Sequence, residues 1–401
     1  MRLLEIPTDK YDAYRLDVIF NGYKWDPQFL GDNTVARSVL VLSEREHAEL
    51  ERLTGLLAAE TESAELLLNG AAKLSRSLLL PRQTRRALRR AKDYRKEEHI
   101  RLMRFDFHPL SAGGWAVSEV NSDVPGGFAE ASLMPEIAAA CFPGAGFRHI
   151  NFGDILADAV CEKVRPGGRV AFVHCTSYSD DRQAVQFLGD KLESRGFRAV
   201  YAAADHLRFE NKKAVCVLGG NEGEVDAVFR FTPVEWLIGL KPKHWPGYFD
   251  TVTPSCNHPV AVYAQTKRFP LAFDALQRRG APLSAWRGLL PQTMEVRYAK
   301  NRDGFIYKPA SGRVGEGVSI EEACRDGEYE RIIKDVRRRP RRYVAQRRFD
   351  DAPLLSAGGE SFHVCLGCYS VEGAAAGYYA RISRAPRIDS RAADIPVLIE
   401  R

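Results

Sequence analysis

The hydrophobic positions in the first quarter of the chain recur at helical spacing. Ser43 precedes Glu44 and Glu46, an N-cap residue followed by acids in the first turn. Leucines then recur every three or four residues, at positions 50, 53, 56 and 57. The pattern predicts helices over residues 44–102 and, more broadly, a helical N-terminal region over residues 1–100.

Near residue 102 the pattern changes to strict alternation, which is typical of a strand. One face of this predicted strand is mostly polar and carries Leu102, Arg104, Asp106 and His108. A Gly113-Gly114 turn separates the strand from a second predicted strand at residues 115–121. The two segments predict a β-hairpin with polar side chains on one face.

In the second strand of this hairpin, one face changes from apolar to polar residues. Strict alternation places Trp115 and Val117 on the same face as Glu119 and Asn121. Two polar groups then end a face that is otherwise apolar. An interruption of this kind indicates a functional site.

Residues 161–250 have the rhythm of a small parallel α/β domain. A buried strand is predicted at residues 170–173, a helix at 183–194, and further strands at 199–201 and 215–218. The proline-rich stretch 237–260 predicts a connection without regular structure and a domain boundary.

A flap-like hairpin is predicted in the last third of the chain. The strand 305–309 leads into Gly312-Arg313-Val314-Gly315-Glu316-Gly317, and a second strand is predicted at 318–320. Backbone N–H groups of such a glycine-rich loop can approach an anion closely, and Lys308 adds positive charge. Phosphate is the natural ligand, although the spacing matches neither the P-loop nor the dinucleotide fingerprint. Two more strands are predicted at 343–346 and 363–369.

Composition places the chain among packed globular proteins. Its 401 residues are 45% hydrophobic and 27% charged, which excludes a disordered or fibrous chain. The formal net charge of +6 suits an anionic ligand but does not indicate nucleic acid. Because the sequence shows no signal peptide and no membrane-spanning apolar run, we expect a cytoplasmic protein with no membrane partner.

The eight cysteines lie mostly in apolar segments, which predicts free thiols. Cys365 and Cys368 form a C-x-x-C motif, but no second Cys or His pair at zinc spacing accompanies it, which argues against a metal site. The basic run at 82–101 lacks interleaved aromatic residues and is typical of a solvated helix face, and the basic run at 334–348 contains Pro340 and is typical of a charged turn between a helix and a strand. A non-catalytic binder of nucleic acid or another polyanion, built on these runs, stays open as an alternative.

Asp106, Glu119 and Asn121 have the ligand chemistry of a Mg²⁺ site. Mg²⁺ takes about six oxygen ligands, of which a few come from side chains and the rest from phosphate and water. Two carboxylates and one amide oxygen on adjacent strands meet that demand, and Arg104 can balance the charge of a transferring phosphoryl group. Spacing alone nevertheless favours a surface Arg–Asp pair and a polar strand face.

The order of these motifs resembles the glutathionylspermidine synthase family. The resemblance runs from about residue 100 to the C-terminus and is carried by Arg104-x-Asp106, Glu119-x-Asn121-Ser122-Asp123-Val124-Pro125, Lys267, Tyr307-Lys308-Pro309, Gly312-Arg313-x-Gly315 and Tyr343-Val344-Ala345-Gln346. It implies an α/β (α+β) fold of the ATP-grasp type in a circularly permuted order, with a small parallel α/β domain and a helical N-terminal region.

The domain organisation that the resemblance implies has four parts. After the helical region 1–100, residues 101–160 form the first part of the ATP-grasp unit with the metal-binding strands. Residues 161–250 form the small pre-ATP-grasp domain, and residues 251–401 complete the ATP-grasp unit with its flap.

Carried over residue by residue, the resemblance implies ATP and Mg²⁺ as cofactors. Mg²⁺ ligation falls to Asp106, Glu119 and Asn121, and catalytic roles fall to Arg104 and Arg381. ATP binding falls to Lys267, Lys308, Gly312, Arg313, Gly315, Gly317 and Gln346. Similar proteins often carry an acid after the flap arginine, where this chain has Val314. The amidase domain of some relatives is missing as well, so no hydrolase activity is predicted.

The reaction that the resemblance implies is amide formation. The γ-phosphoryl group of ATP passes to a carboxylate, and an amine attacks the resulting acylphosphate. The expected partners are therefore a small-molecule or peptide carboxylate and an amine. A kinase-like transfer of phosphate to a stable acceptor, at the same nucleotide site, is the alternative.

Overall fold

The structure is a computed structural model, and it describes residues 1–299, 303–312 and 315–401. All eight cysteines are free thiols, as predicted. Within these ranges, every helix is too short or too polar to cross a bilayer.

The strands are, in chain order, β1 (Arg2–Glu5), β2 (Gln28–Phe29), β3 (Asp32–Asn33), β4 (Ser38–Leu42), β5 (Leu102–Pro109), β6 (Trp115–Asn121), β7 (Arg169–Val173), β8 (Arg198–Ala202), β9 (Leu207–Glu210), β10 (Lys213–Cys216), β11 (Gly223–Glu224), β12 (Ala227–Arg230), β13 (Ser255–Cys256), β14 (Thr293–Glu295), β15 (Phe305–Pro309), β16 (Tyr343–Arg347), β17 (Leu354–Leu355), β18 (Ser361–Val371), β19 (Ala374–Ser383), β20 (Ala393–Ile395) and β21 (Val397–Ile399). The α-helices are α1 (Thr8–Phe20), α2 (Glu44–Gly70), α3 (Arg82–Leu88), α4 (Leu133–Ala139), α5 (Phe152–Cys161), α6 (Ser179–Glu193), α7 (Val234–Leu237), α8 (Val262–Gln265), α9 (Phe273–Gln277), α10 (Ser284–Leu289) and α11 (Glu328–Arg338). Short 3-10 turns connect several of these elements.

The largest sheet has six strands and contains the predicted hairpin of β5 and β6. Its strand order is β20-β19-β18-β5-β6, and β17 pairs with β18. The apolar side of β5, with Phe105 and Phe107, shares one core cluster with Leu57 of α2. On the opposite side, the Phe152 ring of α5 stacks on Tyr369 with ring centroids 3.9 Å apart. The sheet is therefore covered on both faces by helices.

The helix α2 begins as the sequence predicts. Ser43 is its N-cap, and the Ser43 and Glu46 side chains form a reciprocal capping box. The helical prediction for residues 1–100 is incomplete, however, because β1 and β4 form a sheet with β21 from the far end of the chain. All five residues of β4 are buried, so this strand lacks the alternating pattern that identifies a half-exposed strand. The predicted domain boundaries stay predictions.

The parallel sheet predicted for the small α/β domain is present, with the strand order β13-β12-β7-β8. Two details differ from the prediction. Val215 and Cys216 belong to β10, which lies in a separate antiparallel sheet with β9 and β11. The edge strand β13 lies inside the stretch 237–260, which was expected to lack regular structure. A short apolar run does not reveal its pairing partner, since parallel and antiparallel strands can both be buried.

A second antiparallel sheet has the order β14-β16-β15. The prediction of a flap-like hairpin is wrong for its second strand, because residues 318–320 form no strand and β15 pairs with β16 instead. Ser319 still contacts β15: its backbone N–H donates to the Tyr307 carbonyl at 3.1 Å, and its hydroxyl accepts from the Tyr307 N–H at 2.8 Å. The side-chain hydroxyl replaces a backbone acceptor here, so no regular ladder forms.

A buried ion pair ties the end of β6 to the parallel domain. Arg230, the last residue of β12, donates to Asp123, and both side chains are 1% exposed. Asp123 also accepts from the backbone N–H of Val234 at 2.8 Å. The backbone N–H groups of Ser122 and Asp123 both donate to the Gln265 side chain at 2.8 Å. These contacts fix the segment that directly follows Asn121.

We predict that Asp123→Ala lowers the free energy of unfolding by about 3–5 kcal/mol, since it leaves the buried Arg230 guanidinium without its counter-charge. Urea unfolding measures the effect. The control is Glu360→Ala, which removes the partner of the exposed Arg384 and should cost less than about 1 kcal/mol. Losses of equal, small size in the two variants would contradict the prediction.

Candidate functional site

The polar residues of β5 and β6 meet across the hairpin at a β-bulge. Arg104 pairs with Asn121 and Asp106 with Glu119, but the register shifts after Asp106, so that Phe107 pairs with Val117. Ser118 is the extra residue of the bulge. A bulge shifts the alternation of side chains by one position.

The bulge corrects one prediction. Trp115 and Val117 do not share a face with Glu119 and Asn121, because they belong to the same core cluster as Phe107. The interruption seen in the sequence is the change of face itself. The strand buries its apolar half and presents its polar half to the site.

Cationic side chains balance both carboxylates of the hairpin. Arg104 Nε donates to Asp106 Oδ1 at 2.8 Å, and Asn121 Nδ2 donates to Asp106 Oδ2 at 3.0 Å. Lys267 Nζ lies 2.7 Å from Glu119 Oε2 and donates to the Gly312 carbonyl at 2.6 Å. The Arg–Asp pair suggested by the spacing is therefore present but buried, and Lys267 joins the hairpin to the glycine-rich loop.

These partners set the ionisation of the site. Burial alone would raise the pKa of Asp106 and of Glu119, but Arg104 holds the pKa of Asp106 below its usual value and Lys267 does the same for Glu119. Both carboxylates are thus ionised at neutral pH although they lie directly opposite each other, an arrangement that costs free energy through repulsion. Burial lowers the pKa of Lys308 from 10.5 to about 8.

Most of the predicted residues line one cavity between the six-stranded sheet and the β14-β16-β15 sheet. We call it the nucleotide-side cavity, after the ATP-binding role that the family resemblance implies for its lysines, and it is bordered by Asp106, Glu119, Lys267, Lys308, Gly312, Gly315 and Arg381, among others. Arg104 and Asn121 line a neighbouring cavity, which Glu119 and Arg381 also line and which we call the acceptor-side cavity because the resemblance implies a second substrate beside the nucleotide. The two cavities therefore meet at Glu119 and Arg381.

Three predicted residues lie elsewhere. Gln346 borders a smaller cavity with Glu119, Lys267 and Lys308, and its buried Oε1 has no hydrogen-bond partner among the described residues. Gly317 borders an outer groove rather than the nucleotide-side cavity. Arg313, together with Val314, lies outside the described residues.

The acceptor-side cavity is acidic. Its acids are Asp26, Glu119, Glu130, Asp180, Asp181, Asp389 and Asp394, and its bases are Lys24, Arg104 and Arg381. Lys24 already forms two ion pairs, because its Nζ lies 3.1 Å from Glu130 Oε1 and 2.8 Å from Asp394 Oδ2. Burial raises the pKa of Asp180. The cavity thus holds an excess of acids in a chain whose net charge is +6.

The sequence interpretation missed the loop between β19 and β20. Pro386, Arg387 and Ile388 line the nucleotide-side cavity, and Asp389 and Ser390 line the acceptor-side cavity. Proline and mixed charge in this stretch indicate a loop, but no periodicity places it beside a hairpin some 270 residues earlier. Ser118 and His108, which also border the nucleotide-side cavity, were missed as well.

The family model described as "Glutathionylspermidine synthase preATP-grasp" matches residues 12–400. The chain belongs to this family. No curated protein matches it significantly. Among solved structures, it is similar to a glutathione synthetase-like effector (GSS30) from Globodera pallida in the apo form, with a TM-score of 0.63, 11% identity and 96% of each chain covered. A putative gamma-glutamylcysteine synthetase from Methylobacillus flagellatus matches with a TM-score of 0.44 and 13% identity, over 86% of this chain and 88% of that one.

These comparisons confirm the family resemblance and the fold class. The fold is a mixed α/β, ATP-grasp-like fold, similar to that of the glutathione synthetase-like effector. The hairpin of β5 and β6 precedes β15 in the chain, which is the permuted order that the resemblance implies. Among the described residues, no group of three or more His, Cys, Asp and Glu side chains is placed so that it could hold a metal ion.

We predict that Lys308→Met raises the free energy of unfolding at pH 7 by up to about 3 kcal/mol relative to the wild type. The reason is that the lowering of the Lys308 pKa from 10.5 to about 8 corresponds to the free-energy cost of burying the charged ammonium group. Between pH 8 and pH 10.5, Lys308 is protonated in the unfolded chain but deprotonated in the folded protein. The stability of the wild type therefore rises with pH over this range, and the stability difference between Lys308→Met and the wild type becomes smaller.

Urea unfolding at pH 7 and pH 10 checks this prediction. The control is the exposed Lys334→Met, which should show neither the gain at pH 7 nor the pH dependence. A Lys308→Met protein less stable than the wild type at pH 7 would contradict it.

Proposed function

We propose that this protein is an ATP-dependent carboxylate–amine ligase that forms an amide through an acylphosphate. The observation that carries the proposal is the pair of ionised, opposed carboxylates Asp106 and Glu119, which lies where a lysine-lined cavity meets an acidic one. Membership of the family supports the ligase class.

The nucleotide belongs in the lysine-lined cavity. Lys267 and Lys308 provide positive charge for its phosphates beside the backbone of Gly312 and Gly315. The unpartnered Gln346 Oε1 is a buried acceptor beside the same lysines, which fits an amino group of a ligand. Binding roles for Arg313 and Gly317 depend on the family resemblance alone.

The hairpin residues fit Mg²⁺. Two ionised carboxylates and an amide oxygen lie within one pair of strands, and a bound cation would lessen the repulsion between the two carboxylates. Asn121 uses its Nδ2 toward Asp106, which leaves its Oδ1 for a ligand. Asp106, Glu119 and Asn121 would hold the ion, which supplies charge neutralisation at the phosphates when bound.

Arg381 lies at the junction where the phosphoryl group must pass, and Arg104 lines the acceptor-side cavity next to it. Arg381 borders both cavities, and Arg104 is oriented by Asp106 and by the Gly126 carbonyl at 2.8 Å. A carboxylate oxygen attacks the γ-phosphorus as the bond to the ADP oxygen breaks, and the two guanidinium groups stabilise the negative charge that is transferred. The amine then attacks the acyl carbon and phosphate leaves.

The acceptor-side cavity suits an amine. Ammonium groups are favoured where carboxylates outnumber cations, and seven acids face three bases there. The carboxylate that is phosphorylated needs the opposite environment, which Arg104 and Arg381 provide at the junction.

A hydroxylamine trap tests the function. The protein is incubated with ATP, Mg²⁺, hydroxylamine and a panel of amino acids, peptides and polyamines, and hydroxamate is measured together with ADP. A ligase of this type yields hydroxamate with its true carboxylate. A phosphorylated product that hydroxylamine does not intercept would overturn the proposal in favour of a kinase-like transfer.

We predict that Glu119→Gln and Asn121→Ala each lower the rate of ADP release by at least about 100-fold, because each removes a ligand for the ion that neutralises the phosphates. Both side chains border a cavity rather than a core, so both variants should stay folded, although Glu119→Gln also removes the ion pair with Lys267 and should lower the melting temperature. Glu210→Gln, an exposed carboxylate outside both cavities, is the control and should keep the wild-type rate. Normal turnover in the two site variants would refute the site.

A further inference from the structure

The loop between β19 and β20, residues 384–392, separates three spaces. Arg387 and Ile388 border the nucleotide-side cavity, and Asp389 borders the acceptor-side cavity. Arg387 and Asp389 also border an outer groove on the surface. This loop is therefore a wall between the proposed site and the surface.

Arg387 anchors this wall. Its Nη1 and Nη2 donate to Glu328 Oε1 and Oε2 of α11 at 2.8 and 3.1 Å, a bidentate pair. Its Nε donates to Asp389 Oδ2 at 3.3 Å, and Nη1 also donates to the Val318 carbonyl at 3.3 Å. The residue is 6% exposed, so this charged group is held almost out of water.

The segment 315–320 lies directly against the loop. A Cβ atom on Gly315 would come within 2.5 Å of the Ile388 carbonyl oxygen, and the φ of Gly315 is +67°, so only glycine fits this contact. Gly315, Glu316 and Arg387 border both the nucleotide-side cavity and the outer groove. The Arg387 side chain therefore lies between the cavity and the groove.

We propose that Arg387 is a positioning residue that seals the nucleotide-side cavity by holding segment 315–320 against the loop 384–392. Its functional consequence rests on the proposed ligase activity. An acylphosphate is hydrolysed when water reaches it: water adds, the acyl–phosphate linkage breaks, and carboxylate, phosphate and a proton are released. Loss of the seal therefore converts amide synthesis into ATP hydrolysis.

Shape as well as charge is required of this side chain. Only a guanidinium can bond both oxygens of Glu328 and the Val318 carbonyl at once, since an ammonium is a compact point charge. Arg387→Lys should accordingly recover only part of the function that Arg387→Met loses. Glu328→Gln, which weakens the same contact from the α11 side, should resemble Arg387→Lys.

The coupling experiment compares ADP with hydroxamate in the hydroxylamine assay. For the wild type and for Arg384→Met, an exposed arginine of the same loop, we expect about one hydroxamate per ADP. Arg387→Met should keep ATP turnover but raise the ratio of ADP to hydroxamate by at least about threefold, with Arg387→Lys in between. An unchanged ratio in Arg387→Met, including a proportional loss of both products, would overturn the proposal.

A second measurement needs no nucleotide and no turnover. Hydrogen–deuterium exchange of peptides covering residues 315–323 reports the hydrogen bonds of Ser319 and Ile320 to Tyr307 and Val318. We expect faster exchange there and in the loop 384–392 in Arg387→Met than in the wild type or Arg384→Met, with peptides away from the Arg387 contacts unchanged. If the wild type makes no hydroxamate, the ligase proposal fails while the exchange result still decides whether Arg387 holds the segment. Unchanged exchange would overturn the sealing role.

Discussion

The site depends on one constraint: the carboxylates of Asp106 and Glu119 lie opposite each other across a single hairpin. The carboxylates of Asp106, which is buried, and of Glu119, which is half-buried, are ionised and repel each other across the hairpin, and the structure tolerates them because Arg104 and Lys267 are placed at hydrogen-bonding distance. Lys267 comes from a distant part of the chain and also contacts the glycine-rich loop through Gly312. A single set of charge contacts therefore brings the hairpin and the loop together around one cavity.

The surrounding fold supplies the rigidity that this arrangement needs. The core cluster beneath β5 and α2 fixes the apolar half of the hairpin, and the Asp123–Arg230 pair fixes its end against the parallel domain. The burial of Lys308 costs free energy, which is why its pKa is lowered. Shifted pKa values of this kind are common in sites that bind charged ligands. The loop 384–392 then closes the side of the cavity that faces the outer groove.

Local signals in the sequence were sufficient for the elements whose pattern is strong. The Ser43 cap, the hairpin turn at Gly113-Gly114 and the buried strand β7 all form as predicted. The predictions from the sequence are wrong where a single residue alters the regular strand pattern. Ser118 adds a bulge and reverses the faces of the strand, and the Ser319 hydroxyl takes the place of a ladder acceptor, so that no strand forms at 318–320. The apolar run of β10 pairs in a sheet that its pattern does not identify.

The sequence by itself determined the family, the polar hairpin and the chemical types of the site residues, because these depend on residue identity and on spacing along the chain. Only the tertiary structure decided which charges meet. It set Lys267 against Glu119, brought the loop 384–392 beside the glycine-rich segment, and made one adjoining cavity acidic in a chain with a positive net charge. The physical reason is that electrostatic contacts depend on distance in space, and residues far apart in the sequence reach each other only through the packing of the sheets.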